Sequence, residues 1–517
     1  MILGRPLGEP PDPKSVSGGR ATLDDLFTRA TARRPDAIAL CDPPNREQFT
    51  DGAPRSITYA QADLIVTAIA VRLRKLGLAT DTVVALQLPN TIEGVLTILG
   101  ILRAGMIAAP LPLLWRKADC VTALTRVGAR ALVTMSRVND CDHSDLAMHV
   151  AAEIFPLRYV CGFGTLLADG VIPFDDLLYG GTPDPLEHSA RDYNPAAHTA
   201  VVTFDTTSEG LIAVARNHNE LIAAGVGVML EGRIGQDSTI LTAGAMSSLA
   251  GLATALMPWL LSGGTLALHQ PFDTDTFMQQ CKDSSCDTVV LPGSLAHRLV
   301  EAGVLSTPEI QNVLAIWRAP ERFEAANQWR HPSIDVTDIV IFGEIGLIPL
   351  RRDPGGMPAP IPDGEVTVPR AAAGAPLVCE TSRTVSGTLG LRGPMVPQHA
   401  FPPGANRGIA PHFKTAATGF ADTGYPCRGE QDPPSLTITG PVPNLLTVGA
   451  YRFLRHDLED LVGKAATDAT LAALPDRYSG HRLAGHAKDR AALQAALAEL
   501  GANPLIAGAF RDRSPAS

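Results

Sequence analysis

Apolar residues in the first two thirds of the chain follow two alternating rhythms. One recurs every three to four residues, as on one face of a helix; the other is a short continuous apolar run, as in a strand buried on both sides. Ile65, Ile69, Leu73 and Leu76 share a helical face that Thr58 and Gln61 open as a capping box and Gly77 closes. "TVVALQL" then predicts a doubly buried strand, and "TIEGVLTILGILRAG" the next helix. Apolar runs at 131–134, 200–203, 265–268, 288–291 and 338–342 continue the series, which predicts stacked βαβ units around largely parallel sheets.

After about residue 350 prolines and glycines become dense, and short pieces such as "GEVTV" and "SLTITG" predict a β-rich subdomain over about 351–439. "DRAALQAALAELG" predicts one late helix with Leu493, Leu497 and Leu500 on one face and Gly501 as its stop. The expected class is α/β. A large N-terminal domain over 21–439 combines stacked βαβ subdomains with the β-rich one, and a hinge with a small, reduced α+β domain occupies 440–517. Residues 1–20, rich in proline and charge, read as a disordered leader.

The stretch 238–272 carries no Asp, Glu, Lys or Arg and has the length of a membrane span. Pro258 and Gly263-Gly264 divide it into a helix, a turn and a strand, so no span is expected. The charge balance, 43 basic against 53 acidic residues for a net of −10, argues against broad affinity for nucleic acids or anionic membranes. Eight scattered cysteines without a C-x-x-C pair suit a reduced, cytoplasmic protein rather than a zinc site or a disulfide framework. Cys281 and Cys286 read as inert.

Several stretches, in order, carry a family resemblance: "ITYAQAD", "VVALQLPN", "ILRAGMIAAPLPL", "LLSGGTLALHQPFD", "GTLGLRGPMV", and "LTITG" followed by "VGAYRFLRHDLEDLV". Together they span about residues 20 to 462 and resemble the adenylate-forming superfamily of acyl-CoA synthetases, non-ribosomal adenylation domains and luciferases. The resemblance implies ATP and magnesium as cofactors, and coenzyme A or a carrier-protein thiol as acceptor. Its expected partners are a small carboxylic acid, fatty acyl acids included, and a carrier protein.

The same resemblance locates candidate residues and shows where the chain departs from the pattern. The phosphate loop S/T-G-T-T-G-x-P-K-G falls at "DTTSEGLI", where Thr206, Thr207 and Ser208 keep hydroxyls for nucleotide binding or for capping the next helix. Thr206 and Glu209 stand in place of glycines, whose freedom lets backbone N–H groups converge on an anion, and Ile212 stands in place of the lysine. Asp205 and Glu209 add two carboxylates; one like-charge pair at about 4 Å costs roughly 4 kcal/mol at an effective dielectric of about 20. Y-G-x-T-E falls at "FGEIG": Phe342 for adenine, Gly343, and Glu344 as catalytic residue and metal ligand. Each has a plainer reading, Phe342 as core and Glu344 as an exposed turn residue.

Ala319 and Pro320 match the adenine-side turn, with Arg318 replacing a glycine. At the ribose site Thr423 matches, Tyr425 replaces the aspartate, and Asp422 is the substitute acceptor. The hinge G-R-x-x-D becomes Gly440-Pro441-Val442-Pro443-Asn444, in which two prolines hamper rotation. The late catalytic lysine has no counterpart: Lys488 precedes a helix, and Arg511 or Arg513 either takes that role or, as is usual for an arginine on a terminal tail, is simply solvated. On the substrate side, His218 is either a catalytic-side histidine or a helix cap. Ala243 opens a small-residue stretch fit for a fatty or alicyclic acid, and Gly449 and Tyr451 match G-G-[FY]-[KR] along the thiol's approach. Two functions stay open: an ATP-dependent carboxylic acid–thiol ligase with impaired or lost adenylation, or a non-catalytic homologue that binds an acyl group, a nucleotide or a partner.

Overall fold

The structure, a computed structural model, describes residues 19–511 except 182, 187–193, 306, 324–327, 369–375, 406–407, 409–410 and 477–478. Arg513 and nearly all of the expected leader lie outside the described residues.

Helix Tyr59–Lys75 opens on the capping box as expected: Thr58 Oγ1 accepts from Gln61 N at 3.2 Å and Gln61 Oε1 from Thr58 N at 2.9 Å. Its apolar face packs on helix Ile92–Arg103, where Ile69 lies so close to Gly100 that a Cβ there would collide with it. Strand Val83–Gln87 is buried at every position. It sits fourth in a seven-stranded sheet ordered Gly210–Asn217, Thr199–Thr207, Ile107–Pro110, Val83–Gln87, Ala131–Met135, Tyr159–Phe163, Ile172–Pro173. Five of these strands run parallel to their neighbours, as βαβ alternation requires, and the edge hairpin 199–217 is antiparallel.

A second, eight-stranded sheet carries Asp335–Phe342 and its antiparallel partner Gly346–Arg351 at one edge. Beyond residue 360 the pieces form a six-stranded antiparallel sheet, with Gly364–Thr367 and Pro434–Ile438 matching the two short predicted strands. Strands Leu445–Val448, Tyr451–Leu454, Thr470–Asp476 and Gly480–His486 form a four-stranded sheet, and Leu446, Leu458, Val462, Leu493, Leu497 and Phe510 make a separate apolar cluster beneath it. Leu500 departs from expectation: it is 44% exposed, because helix Arg490–Glu499 ends just before it.

The apolar stretch 238–272 resolves into strand Thr239–Thr242, a short helix that passes through a π-turn at Leu252–Leu256, helix Met257–Ser262 and strand Thr265–Leu268. Gly263 in the left-handed region makes the break; Pro258, in the first turn of its helix, does not. Among the described residues no helix is long and apolar enough to cross a membrane.

Candidate functional site

The segment 201–221 does not form the expected strand, phosphate loop and helix. Strand Thr199–Thr207 turns tightly through Ser208 and Glu209 into strand Gly210–Asn217, with Asp205 paired to Ile212 and Thr207 to Gly210. The helix starts only at His218, and Asn217, not the threonines or Ser208, caps it by accepting from Glu220 N at 2.9 Å. Thr207 Oγ1 serves the turn instead, accepting from Glu209 N at 3.3 Å and donating to Gly210 O at 3.0 Å. β-branched residues at 201, 202, 203, 206, 207, 212 and 214 favour the hairpin over a helix.

The hairpin holds the "FGEIG" turn from two sides. Glu344 N donates to Asp205 Oδ2 at 2.9 Å, and Arg216 Nη2 donates to Glu344 O and, at 3.1 Å, to Ile345 O. Gly343 has a φ of 58°, and a Cβ on it would overlap the Asp205 carboxylate and the Arg452 guanidinium. Phe342 is fully buried, edge-on to Tyr425 with ring centroids 5.7 Å apart, and so belongs to the core in this structure. The Glu344 side chain is 4% exposed and accepts from Leu249 N at 2.7 Å. Burial, helped by the nearby Asp205 charge, pushes its carboxyl up to about 7. An exposed turn glutamate is therefore not what stands here.

Sequence reasoning overlooked Arg452. Strand Tyr451–Leu454 carries it into the cleft, where its Nη1 meets Asp205 Oδ1 at 3.0 Å and Oδ2 at 2.9 Å while Nη2 donates to the Tyr425 hydroxyl. Burial works against that guanidinium's charge, but Asp205, Tyr425 and Glu344 together outweigh it and strengthen the cation. The neighbouring Tyr451 hydroxyl accepts from Leu114 N at 3.0 Å, so two adjacent side chains fasten the C-terminal sheet to the large domain. The available signal was the basic position of the "VGAYRF" pattern, which falls on Arg452 itself.

This contact changes the charge arithmetic. The two carboxylates counted against an anion are both paired: Asp205 with Arg452, and Glu209 with Lys414 from the 411–424 segment. Nothing local in the sequence around Lys414 points to the hairpin tip.

The site consists of adjoining clefts. One is lined by Trp115, Ser248, Arg318, Glu344, Gly449 and Tyr451 among others. The second brings Thr206, Thr207 and Ser208 together with Asp422, Thr423 and Lys414. Asp205, Thr206 and Arg452 face both. In the second cleft Asp422 Oδ1 already accepts from Thr388 Oγ1 at 2.7 Å and Gly424 N at 2.8 Å, while Thr423 Oγ1 donates to Leu389 O at 2.8 Å.

Other candidates lie elsewhere. His218 is buried and its Nδ1 accepts from Leu23 N at 3.1 Å, which ties two helix starts together. Ala243 lines none of these clefts; Ala245 and Ser247 of the same segment do. Ala319 and Pro320 also stay outside the clefts, where Ala319 lies against Gly480 of the C-terminal sheet. Lys488 and Arg511 reach neither cleft. Val442 is buried against Gly424, and Asn444 takes a φ of 61°, which Asn tolerates better than most residues. Among the described residues no cluster of three or more His, Cys, Asp or Glu side chains is placed to hold a metal ion, and all eight cysteines are free.

A model of the AMP-binding enzyme family matches residues 27–319, more than half of the chain. The chain belongs to the AMP-binding enzyme family. Among curated family relatives, 2-hydroxy-7-methoxy-5-methyl-1-naphthoate–CoA ligase of Streptomyces carzinostaticus is 25% identical over 494 residues, covering 89% of this chain and 83% of its own length. The beauvericin nonribosomal cyclodepsipeptide synthetase of Gibberella fujikuroi is 32% identical over 90 residues, 17% of this chain. The match spans only 3% of that synthetase. Of solved structures, apo MbtA of Mycobacterium smegmatis aligns with a TM-score of 0.66 at 20% identity, covering 95% of this chain and 91% of MbtA. The amide bond synthetase McbA of Marinactinospora thermotolerans aligns at 0.68 and 16%, covering 94% of each chain. At that identity the likeness establishes the family's α/β fold.

Proposed function

We propose that this chain is a carboxylic-acid-binding member of the AMP-binding enzyme family, descended from acid–thiol ligases, in which adenylation is impaired or lost. One observation carries the reading: the Arg452 guanidinium lies between Asp205 and Tyr425, against Gly343, among the residues that the family resemblance assigns to nucleotide. With strand Tyr451–Leu454 and the rest of the C-terminal sheet docked as a lid, this arginine fills the seat. With the lid away, Asp205 would lose its partner and present an uncompensated carboxylate to the phosphates. Each position of the lid disfavours ATP for its own electrostatic reason.

Magnesium fits poorly as well. Glu344 is buried, is half protonated near pH 7, and already accepts from a backbone N–H, whereas a hard cation takes ionised oxygens with open geometry. The hinge prolines and the buried Val442 support the same conclusion. Eight free thiols suit a reducing, cytoplasmic setting.

The test is acid-dependent exchange of pyrophosphate into ATP over a panel of carboxylic acids, run beside thermal shift with ATP, AMP and magnesium. The proposal expects neither. Robust exchange would replace it by the second reading, an active acid–thiol ligase using coenzyme A or a carrier-protein thiol, which the retained Gly343 and the placement of Gly449 and Tyr451 at the cleft favour.

A further inference from the structure

A chamber of about 300 Å3 lies where the C-terminal elements dock on the rest of the chain. Trp115, the first turns of helix Lys117–Val127 and Leu211 of the hairpin form one wall. Leu454, Leu458 and Leu461 of the strand and helix that follow Arg452, with the turn 500–503, form the other. The two walls meet at Gly501, where a Cβ would lie 3.5 Å from that of Lys117. An apolar cavity of about 150 Å3 holds a benzene, so this chamber admits a body about twice that size.

Three of its side chains are left unsatisfied by the protein itself. Asp119 accepts one hydrogen bond among the described residues, from Arg116 N at 3.3 Å, and makes no ion pair there. The nearby bases are committed elsewhere: the Arg116 guanidinium to the Leu113 and Trp115 carbonyls, Lys117 to Glu153, and Arg452 to Asp205. Desolvation pushes the Asp119 carboxyl up to about 6, so at neutral pH it is ionised and lacks a paired cation. Asn503 is 3% exposed; its Oδ1 accepts from Leu505 N at 3.0 Å, and its Nδ2 has no partner among the described residues. Leu500, exposed just past its helix, lines the chamber instead of the core, and the largely exposed Asp457 adds a second carboxylate to the lining.

We propose that this chamber binds a small apolar amine that also carries a hydrogen-bond acceptor, its ammonium pairing with Asp119, its acceptor meeting the Asn503 amide and its body covering Leu461 and Leu500. Charge selects a cation, because the one guanidinium in the lining, Arg452, is already neutralised by Asp205. The occupant touches both walls. It therefore favours the docked position of the C-terminal sheet, the state in which both walls are present, and keeps Arg452 beside Asp205. This is an effector site separate from the acid-binding reading, and it requires no reaction of the amine.

The test uses the full chain without nucleotide, titrated calorimetrically with four probes. These are tyramine, its neutral counterpart tyrosol, phenethylamine, which lacks the acceptor, and spermidine, which lacks the apolar body. Tyramine should bind at least about tenfold tighter than tyrosol, the effect of one charge-assisted contact, and tighter than phenethylamine or spermidine. Asp119→Asn should bring tyramine down to the level of tyrosol and leave tyrosol unchanged, whereas Leu461→Trp should weaken both. Tyramine should also slow backbone hydrogen exchange in residues 117–122 and 455–461 together. Absence of tyramine binding, equal binding of tyramine and tyrosol, tyramine affinity unchanged by Asp119→Asn, phenethylamine or spermidine as tight as tyramine, or slowed exchange on one wall only would each overturn the proposal. Should Asp119→Asn fail to fold, Leu461→Trp and the wild-type comparisons decide. Pyrophosphate exchange by the wild type would refute the loss of adenylation and leave this result standing.

Discussion

Arg452→Met tests the plug directly. The substitution keeps the apolar stem and removes the charge that meets Asp205 at 2.9 and 3.0 Å, a pair whose side chains are 12% and 7% exposed. At an effective dielectric of about 20 the attraction amounts to roughly 5 kcal/mol. Removing one partner of such a buried pair costs about 3–5 kcal/mol, because the remaining carboxylate is left uncompensated. Asp205→Asn alone leaves Arg452 similarly stranded. The double variant, an amide facing a thioether, should lose far less than the sum, with a coupling energy of about 2–4 kcal/mol. Urea denaturation of all four proteins measures it, and hydrogen exchange at the backbone of residues 445–454 checks whether the lid loosens first. The double variant has neither plug nor repelling charge, so it should also acquire an AMP-dependent thermal shift that wild type and Arg452→Met lack. Strict additivity within about 0.5 kcal/mol, or strong binding of AMP by the wild type, would refute the reasoning.

Glu344 gives a signed pH dependence. Its carboxyl titrates near 7 in the folded chain against an ordinary 4.5, so between those values the unfolded chain releases a proton that the folded one keeps. Stability therefore falls as pH rises from about 4.5 to 7, by roughly 3 kcal/mol from this group. Glu344→Gln should remove most of that slope when denaturation at pH 5 and pH 7.5 is compared, and an unchanged slope would count against the burial argument. Ile212→Lys should cost at least about 3 kcal/mol and confer no nucleotide affinity, since Ile212 is fully buried in the hairpin; an unaltered melting temperature would contradict this. Glu209→Gly should change stability by less than about 1 kcal/mol in the same assay, because its partner Lys414 and its own side chain are both well exposed.

What the sequence determined by itself is local. The capping box at Thr58 and Gln61, the all-buried strand Val83–Gln87 and the buried Ile92–Arg103 helix were readable because neighbours along the chain set periodicity and caps. The order of short motifs carried the family for the same reason. The hairpin at Ser208–Glu209 was missed because hydroxyl-rich turns and helix starts share their residues, and only pairing across the strands distinguishes them. Tertiary structure alone decided the electrostatics. Asp205 and Arg452 are 247 positions apart, and Arg216 reaches Glu344 across 128. A charge read along the chain has a sign but no partner. Whether Asp205 repels an anion or is neutralised, and whether Glu344 is an exposed carboxylate or a buried acid, depends on what the fold packs against it and how much water it excludes.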